Sequence, residues 1–193
     1  MSAEQRRAMI VAATLPLVAE YGTAVTTGQI ARAAGIGEGT IFRAFAGKEE
    51  LLDACLAEAM NPGHVLRELA SVPLDEPLAT RLVQAAEALR AHLERMGTVI
   101  GALHASGHRR GQPRDGQSAP GDRDSSMKAT REAVAELIEP DRAALRLEPE
   151  KLASIFLGLL FGNRPVAGEA EPQAADLVDV LLHGAQRDPR STA

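Results

Sequence analysis

Residues 26–51 read TTGQIARAAGIGEGTIFRAFAGKEEL, and this stretch decides the fold. Two short helical patterns meet there at a glycine-containing turn. Thr26 or Thr27 is placed to cap the first helix, whose apolar side is Ile30, Ala31 and Ala34. Gly35 ends it, because a residue without Cβ takes the left-handed conformation of a helix stop at no steric cost. Ile36 bridges the turn, and a second helix is predicted from Glu38 to Phe45. Two helices so joined form a helix-turn-helix, whose second helix enters the major groove of DNA.

The helical wheel of the second helix agrees. Ile41 and Phe45 fall on one side, where they can pack on the first helix. Gly39, Thr40 and Arg43 fall on the opposite side, flanked by Phe42 and Ala44. A bare backbone, a hydroxyl and a guanidinium suit phosphates and base edges. The same residues would also serve as the solvated face of an ordinary helical hairpin.

Working outward, a first helix is predicted from Ala3 to Tyr21, with Ile10, Ala13, Leu17 and Tyr21 on one stripe and Gly22 as its stop. Pro16 removes a backbone bond to Ala12, so a bend without a break is expected. After the motif, helices are predicted over Lys48–Met60, His64–Ala70, Glu76–Ala105, Ser126–Ile138 and Pro149–Gly162, with a last one beginning near Pro172. The Glu76–Ala105 pattern has possible breaks at Gly97 and Gly101. Strand patterns are scarce, so the fold class is all-α. Residues 106–125, SGHRRGQPRDGQSAPGDRDS, contain no Leu, Ile, Val or Phe and read as a flexible linker.

Charge sets limits on function. The chain of 193 residues has a net charge of −5, so it carries no general basic coat. Residues 1–50 hold five basic side chains (Arg6, Arg7, Arg32, Arg43, Lys48) and five acidic ones (Glu4, Glu20, Glu38, Glu49, Glu50). DNA binding by so neutral a head must rest on placed contacts and on two copies acting together. The single cysteine, Cys55, lies in an apolar pattern with Leu51, Leu52 and Leu56 and reads as a buried hydrophobe. No Ser/His/Asp or Cys/His set, phosphate loop or metal cluster stands out, so neither an enzyme nor a cofactor is expected. His104 and His108 have the i, i+4 spacing of a helical metal pair but lack a third ligand. No stretch reaches membrane-span length, and a cytoplasmic protein without membrane partners is expected.

Residues 5–55 resemble the DNA-binding domain of the TetR family of transcriptional repressors. The matching pieces are IVAAT..LVAEYG at 10–22, TTGQIARAAGI at 26–36, GTIFRAF at 39–45 and KEELL at 48–52. The rest of the chain resembles the family only in helical character and length. The resemblance implies a three-helix DNA-binding domain at 1–47, then a helical ligand-binding and dimerisation domain at 48–193. It implies an all-helical homodimer whose partners are double-stranded DNA, a small organic ligand and a second copy of the chain.

The helical wheel gives Gly39, Thr40 and Arg43 as DNA contacts, the resemblance adds Thr26, Thr27, Gln29, Arg32, Phe42 and Lys48, and Glu38 joins them as a candidate that would otherwise be a surface residue stabilising its helix dipole. One of the two threonines caps its helix and the other reaches a phosphate, with Gln29 and Arg32 exposed beside them. Lys48 sits at a helix N-terminus, where charge and helix dipole both favour phosphate. The sequence also departs from the family pattern. Gly37 stands where a capping Ser is common. Phe42 replaces a Tyr whose hydroxyl bonds phosphate, and Ala44 replaces a Tyr or His. Glu38 suits the dipole of its helix but repels phosphate, and within the groove it would accept from a cytosine amino group.

Two further sites are expected in the body. A mostly apolar ligand is predicted in a cavity lined by helices at 76–105, 126–138 and 149–162, with His92, Met96, Ile100, Leu103, His104, Met127, Phe156 and Leu160 at its wall. Plain core packing would account for the same residues. The last two helices are apolar over more than one stripe, so Leu159, Leu160, Val178 and Leu181 are assigned to a two-fold interface. The function expected is a ligand-responsive repressor released from its operator by a small apolar molecule. A helical small-molecule or lipid-binding protein with weakened or lost DNA binding is the alternative.

Overall fold

The computed structural model describes residues 1–108, 120–162 and 172–185. Among these residues the regular elements are helices: α1 (Ala3–Tyr21), α2 (Thr27–Ala34), α3 (Glu38–Ala44), α4 (Lys48–Ala59), α5 (Gly63–Ala70), α6 (Leu78–Ala105), α7 (Pro120–Ile138), α8 (Pro149–Gly162) and α9 (Ala174–Ala185). Short 3-10 turns lie at Gly22–Ala24 and Glu139–Ala144. No helix among the described residues is long and apolar enough to cross a membrane.

The chain divides into two compact units, one of Met1–Asn61 with Leu93–Pro120 and one of Pro62–His92 with Gly121–Ala193. In the first unit, α1 packs on α2, α3 and α4, and α2 packs on α3. Its core is built from Ile10, Val18, Ile30, Ile41, Phe45, Leu51, Leu52 and Cys55, joined by Val99 and Leu103 of α6. Helix α1 runs unbroken through Pro16. Thr14 is fully buried there and donates to the Ile10 carbonyl at 2.7 Å, so its hydroxyl enters the core satisfied. The thiol of Cys55 is buried, and burial, with Glu58 adding to it, pushes its pKa up to about 12.

The second unit is built around Leu82, Ala85, Leu89, Val134, Ile138, Leu152, Phe156 and Leu160. Arg81 lies fully buried in it and donates to the Leu137 carbonyl at 2.6 Å and to Asp141. That guanidinium fastens the 3-10 turn after α7 onto α6.

Helix α6 continues across Gly97 and Gly101, where the pattern had suggested breaks. Two helical glycines cost only about 1 kcal/mol each, which the rest of a long helix offsets. Helix α7 begins at Pro120 rather than Ser126, so residues 106–125 are not linker throughout. Residues 109–119 of that stretch lie outside the described residues.

Candidate nucleic-acid interface

The termini of α2 are built locally. Thr26 is the N-cap, its Oγ1 accepting from the Gln29 backbone N–H at 3.2 Å while Gln29 Oε1 accepts from the Thr26 N–H at 2.8 Å. The reciprocal pair is a capping box. Gly35 closes the helix at φ 66°, with its N–H returned to Ala31 and Arg32. The turn then delivers the chain to α3, whose N-cap Gly37 supplies no side chain.

Ile41 and Phe45 point into the core. Gly39, Phe42 and Arg43 are exposed, Phe42 at 57% of its surface, and Thr40 is half-buried. The exposed face of α3 is therefore the one that the wheel predicts. Arg32 of α2 is exposed as well. Gln29 is half-buried rather than exposed, because the capping box draws its amide back onto Thr26.

The threonines divide their work differently from the expectation that one would reach a phosphate. Thr26 Oγ1 gives its proton to Gln29 Oε1 at 2.9 Å. Thr27 Oγ1 gives its proton to Glu38 Oε2 at 2.8 Å. Lys48 is half-buried at the start of α4, and its Nζ donates to the Thr23 carbonyl at 2.5 Å. An ammonium has three donors, so two remain for a phosphate.

Three further groups position this surface and were not singled out in the sequence. Arg7 of α1 donates to the Ala44 carbonyl at the end of α3 and to Glu50 Oε1 at 2.8 Å. Its guanidinium lies 4.1 Å above the Phe45 ring. Glu50 also accepts from the Ala46 N–H at 2.6 Å, tying down the turn before α4. A Glu three residues after the cap Gly47 is the local sign of such a role. Ser106, just beyond α6, accepts from the Thr23 N–H at 2.9 Å, so the turn that holds Lys48 is itself braced.

His104 and His108 do not form a metal pair. His104 is exposed, whereas His108 is buried with Nε2 3.1 Å from Asp53 Oδ1. Its Nδ1 stands 3.1 Å from Glu49 Oε2 without hydrogen-bond geometry. Among the described residues no group of three or more His, Cys, Asp or Glu side chains is placed to hold a metal.

The eight residues expected around a ligand are divided between the two units. Leu103 and Ile100 pack in the core of the first unit, which also contains Met96 and the exposed His104. Phe156 and Leu160 are buried in the core of the second, which also contains His92 and the exposed Met127. A hollow of about 470 Å³ lies at residues 139–148 of the second unit, lined by Arg142, Arg146 and Glu148 among others, and none of the eight lines it. Of the residues assigned to a two-fold interface, Leu160, Val178 and Leu181 are buried in the chain's own core. Leu159 is exposed, as are Ile155 and Val180 on the same two helices.

Residues 10–55 match the family described as bacterial regulatory proteins, tetR family. The fold is similar to that of a protein from Mesorhizobium loti assigned to the TetR family. That match has a TM-score of 0.61 and 18% identity, over 97% of this chain and 100% of that one. A TetR transcriptional regulator from Streptomyces coelicolor is similar with a TM-score of 0.54 and 23% identity, over 97% of this chain and 99% of that one. NalD, the secondary repressor of the MexAB-OprM multidrug efflux pump in Pseudomonas aeruginosa, is similar with a TM-score of 0.51 and 22% identity, over 96% of this chain and 98% of that one.

Proposed function

We propose that this chain, whose residues 10–55 match the tetR family and whose fold is similar to that of TetR-family structures, is a homodimeric repressor of that family that binds operator DNA through α3. The observation that carries the reading is the outer surface of the helix-turn-helix. Ile41 and Phe45 are buried while Gly39, Phe42 and Arg43 stand outward, and a lysine opens α4, the helix that follows α3 in the chain. Arg43 is suited to the acceptor edge of a guanine, and Lys48 to a phosphate. A small, mostly apolar ligand would release the DNA if it bound better to a conformation whose two heads no longer match adjacent grooves. Support for ligand control is what the TetR resemblance of residues 10–55 implies for the helical body that follows it.

The test is fluorescence anisotropy on DNA from the region upstream of the protein's own coding sequence, across a salt series. Lys48→Ala should weaken binding to all sequences and reduce the salt slope by about one unit per bound head, about two for the dimer, as loss of one phosphate contact from each requires. Arg43→Ala should weaken binding and relax base preference at one position. Unchanged affinity in both variants overturns the assignment of this surface. The commitment of both threonine hydroxyls favours a second reading, a helical ligand carrier without DNA binding. Absence of any DNA binding at low salt, with retained binding of hydrophobic compounds, selects it.

A further inference from the structure

Glu38 opens α3, yet its side chain turns back toward the start of α2. Oε2 receives the only proton of the Thr27 hydroxyl at 2.8 Å. Oε1 lies beside Gly28, where an added Cβ would stand 3.3 Å from it. The neighbouring hydroxyl of Thr26 is spent on Gln29. A DNA phosphate offers acceptors and no donors, so neither threonine hydroxyl can serve one while these bonds hold. The carboxylate also places a negative charge at the first turn of α2, whose dipole would otherwise favour a phosphate there.

We propose that Glu38 is a built-in competitor for the DNA backbone, its carboxylate taking on Thr27 the place of a phosphate oxygen. It lowers affinity for all sequences and leaves base choice to other residues. This inference rests on the DNA-binding reading above. It differs from a role in the groove, where the same carboxylate would accept from cytosine and set base preference. Bound to Thr27 and seated against Gly28, the carboxylate is held on the protein instead.

The test uses the full chain, with anisotropy titrations on its upstream DNA and on unrelated duplexes over a salt series. Glu38→Ala removes both charge and acceptor. It should tighten binding to every duplex by about three- to tenfold and steepen the salt slope by about one unit per bound head. Glu38→Gln removes the charge and keeps an acceptor for Thr27, so it should gain less. Adding Thr27→Val to Glu38→Ala should cancel the hydroxyl's part of the gain. Melting followed by Tyr21 fluorescence confirms that each variant remains folded. Wild-type binding with no gain in Glu38→Ala overturns the proposal alone. A change of preference at one base pair, with weaker binding to the preferred site, overturns it in favour of base reading. If neither wild type nor variant binds DNA at low salt, the DNA-binding reading falls and the proposal with it.

Discussion

Replacing Arg7 by Ala should loosen the recognition helix from a position far outside the motif. The guanidinium joins three parts of the first unit: the last carbonyl of α3, the carboxylate of Glu50 in α4 and the face of Phe45. Its side chain keeps 40% of its exposure and that of Glu50 keeps 33%, so the ion pair is screened and contributes at most about 1 kcal/mol. The stacked cation adds about 0.5–1 kcal/mol at such a site. The bond to the Ala44 carbonyl adds about 1 kcal/mol, since without it the end of α3 turns to water. Together these put the loss at about 2 kcal/mol, or about 4–8 °C in Tm for a chain of this size. Tyr21 is the only Tyr and there is no Trp, so intrinsic fluorescence in a urea titration reports the unit that contains Arg7. Arg7→Lys should recover part of the loss, because it keeps the charge and loses the fork and the planar stack. DNA affinity should fall as well, at temperatures where the variant is still folded. A urea midpoint for Arg7→Ala within error of the wild type would refute the reasoning, and Arg7→Lys equal to Arg7→Ala would refute the geometric part of it.

Two other perturbations test the body and the core. Val180→Glu or Leu159→Glu places a charge on the exposed apolar face of α9 or α8 and should weaken a homodimer by at least about tenfold in sedimentation equilibrium, with the melting temperature little changed if that face is free; a dimer that survives both would exclude this face. Cys55 should resist iodoacetamide at pH 8 until urea unfolds the head, and fast native labelling would contradict its burial. Its thiol pKa is raised from 9.0 to about 12 in the fold, so the stability from keeping it neutral is full below pH 9 and is lost as pH rises toward 12.

The parts of this fold that the sequence made legible are those whose cause is local. Thr26 and Gln29 cap α2 from within four residues of chain, and Gly35 ends it because only the left-handed conformation fits there. Ile41 and Phe45 are one helical turn apart, so a wheel suffices to turn them inward. What stayed hidden depends on which partner lies across space. Thr27 and Glu38 both carry groups suited to DNA, and nothing in their spacing says that they bond one another. Arg7 meets Ala44 from a different helix, and no local pattern marks it. In α8 and α9 the apolar residues surround much of each helix, so periodicity cannot say which stripe the chain buries itself. It buries Leu160, Val178 and Leu181 and leaves Leu159, Ile155 and Val180 outside. The stripe along α6 reads as one lining, but Leu82 to Leu89 belong to one core and Val99 to Leu103 to the other.

The same facts bear on how a head like this one would hold DNA. Its basic and acidic side chains are equal in number over residues 1–50. Arg7 is committed to α3 and Glu50, Lys48 spends one donor on Thr23, and both threonine hydroxyls are given away. On the proposed reading, a head with so few placed donors would bind weakly by itself, and its affinity would have to come from two heads engaging one duplex. Linking two weak sites raises avidity by about 10²–10⁴ without any new contact, provided the geometry lets both engage. The proposed dimer is then a condition of DNA binding and not an accessory to it. Val180→Glu leaves every residue of the head in place, yet it should cost far more affinity for a two-half-site operator than Lys48→Ala does, and should cost nothing on a duplex with a single half-site. Equal losses on both duplexes would mean that the head binds as a monomer and that its few contacts are stronger than their number implies.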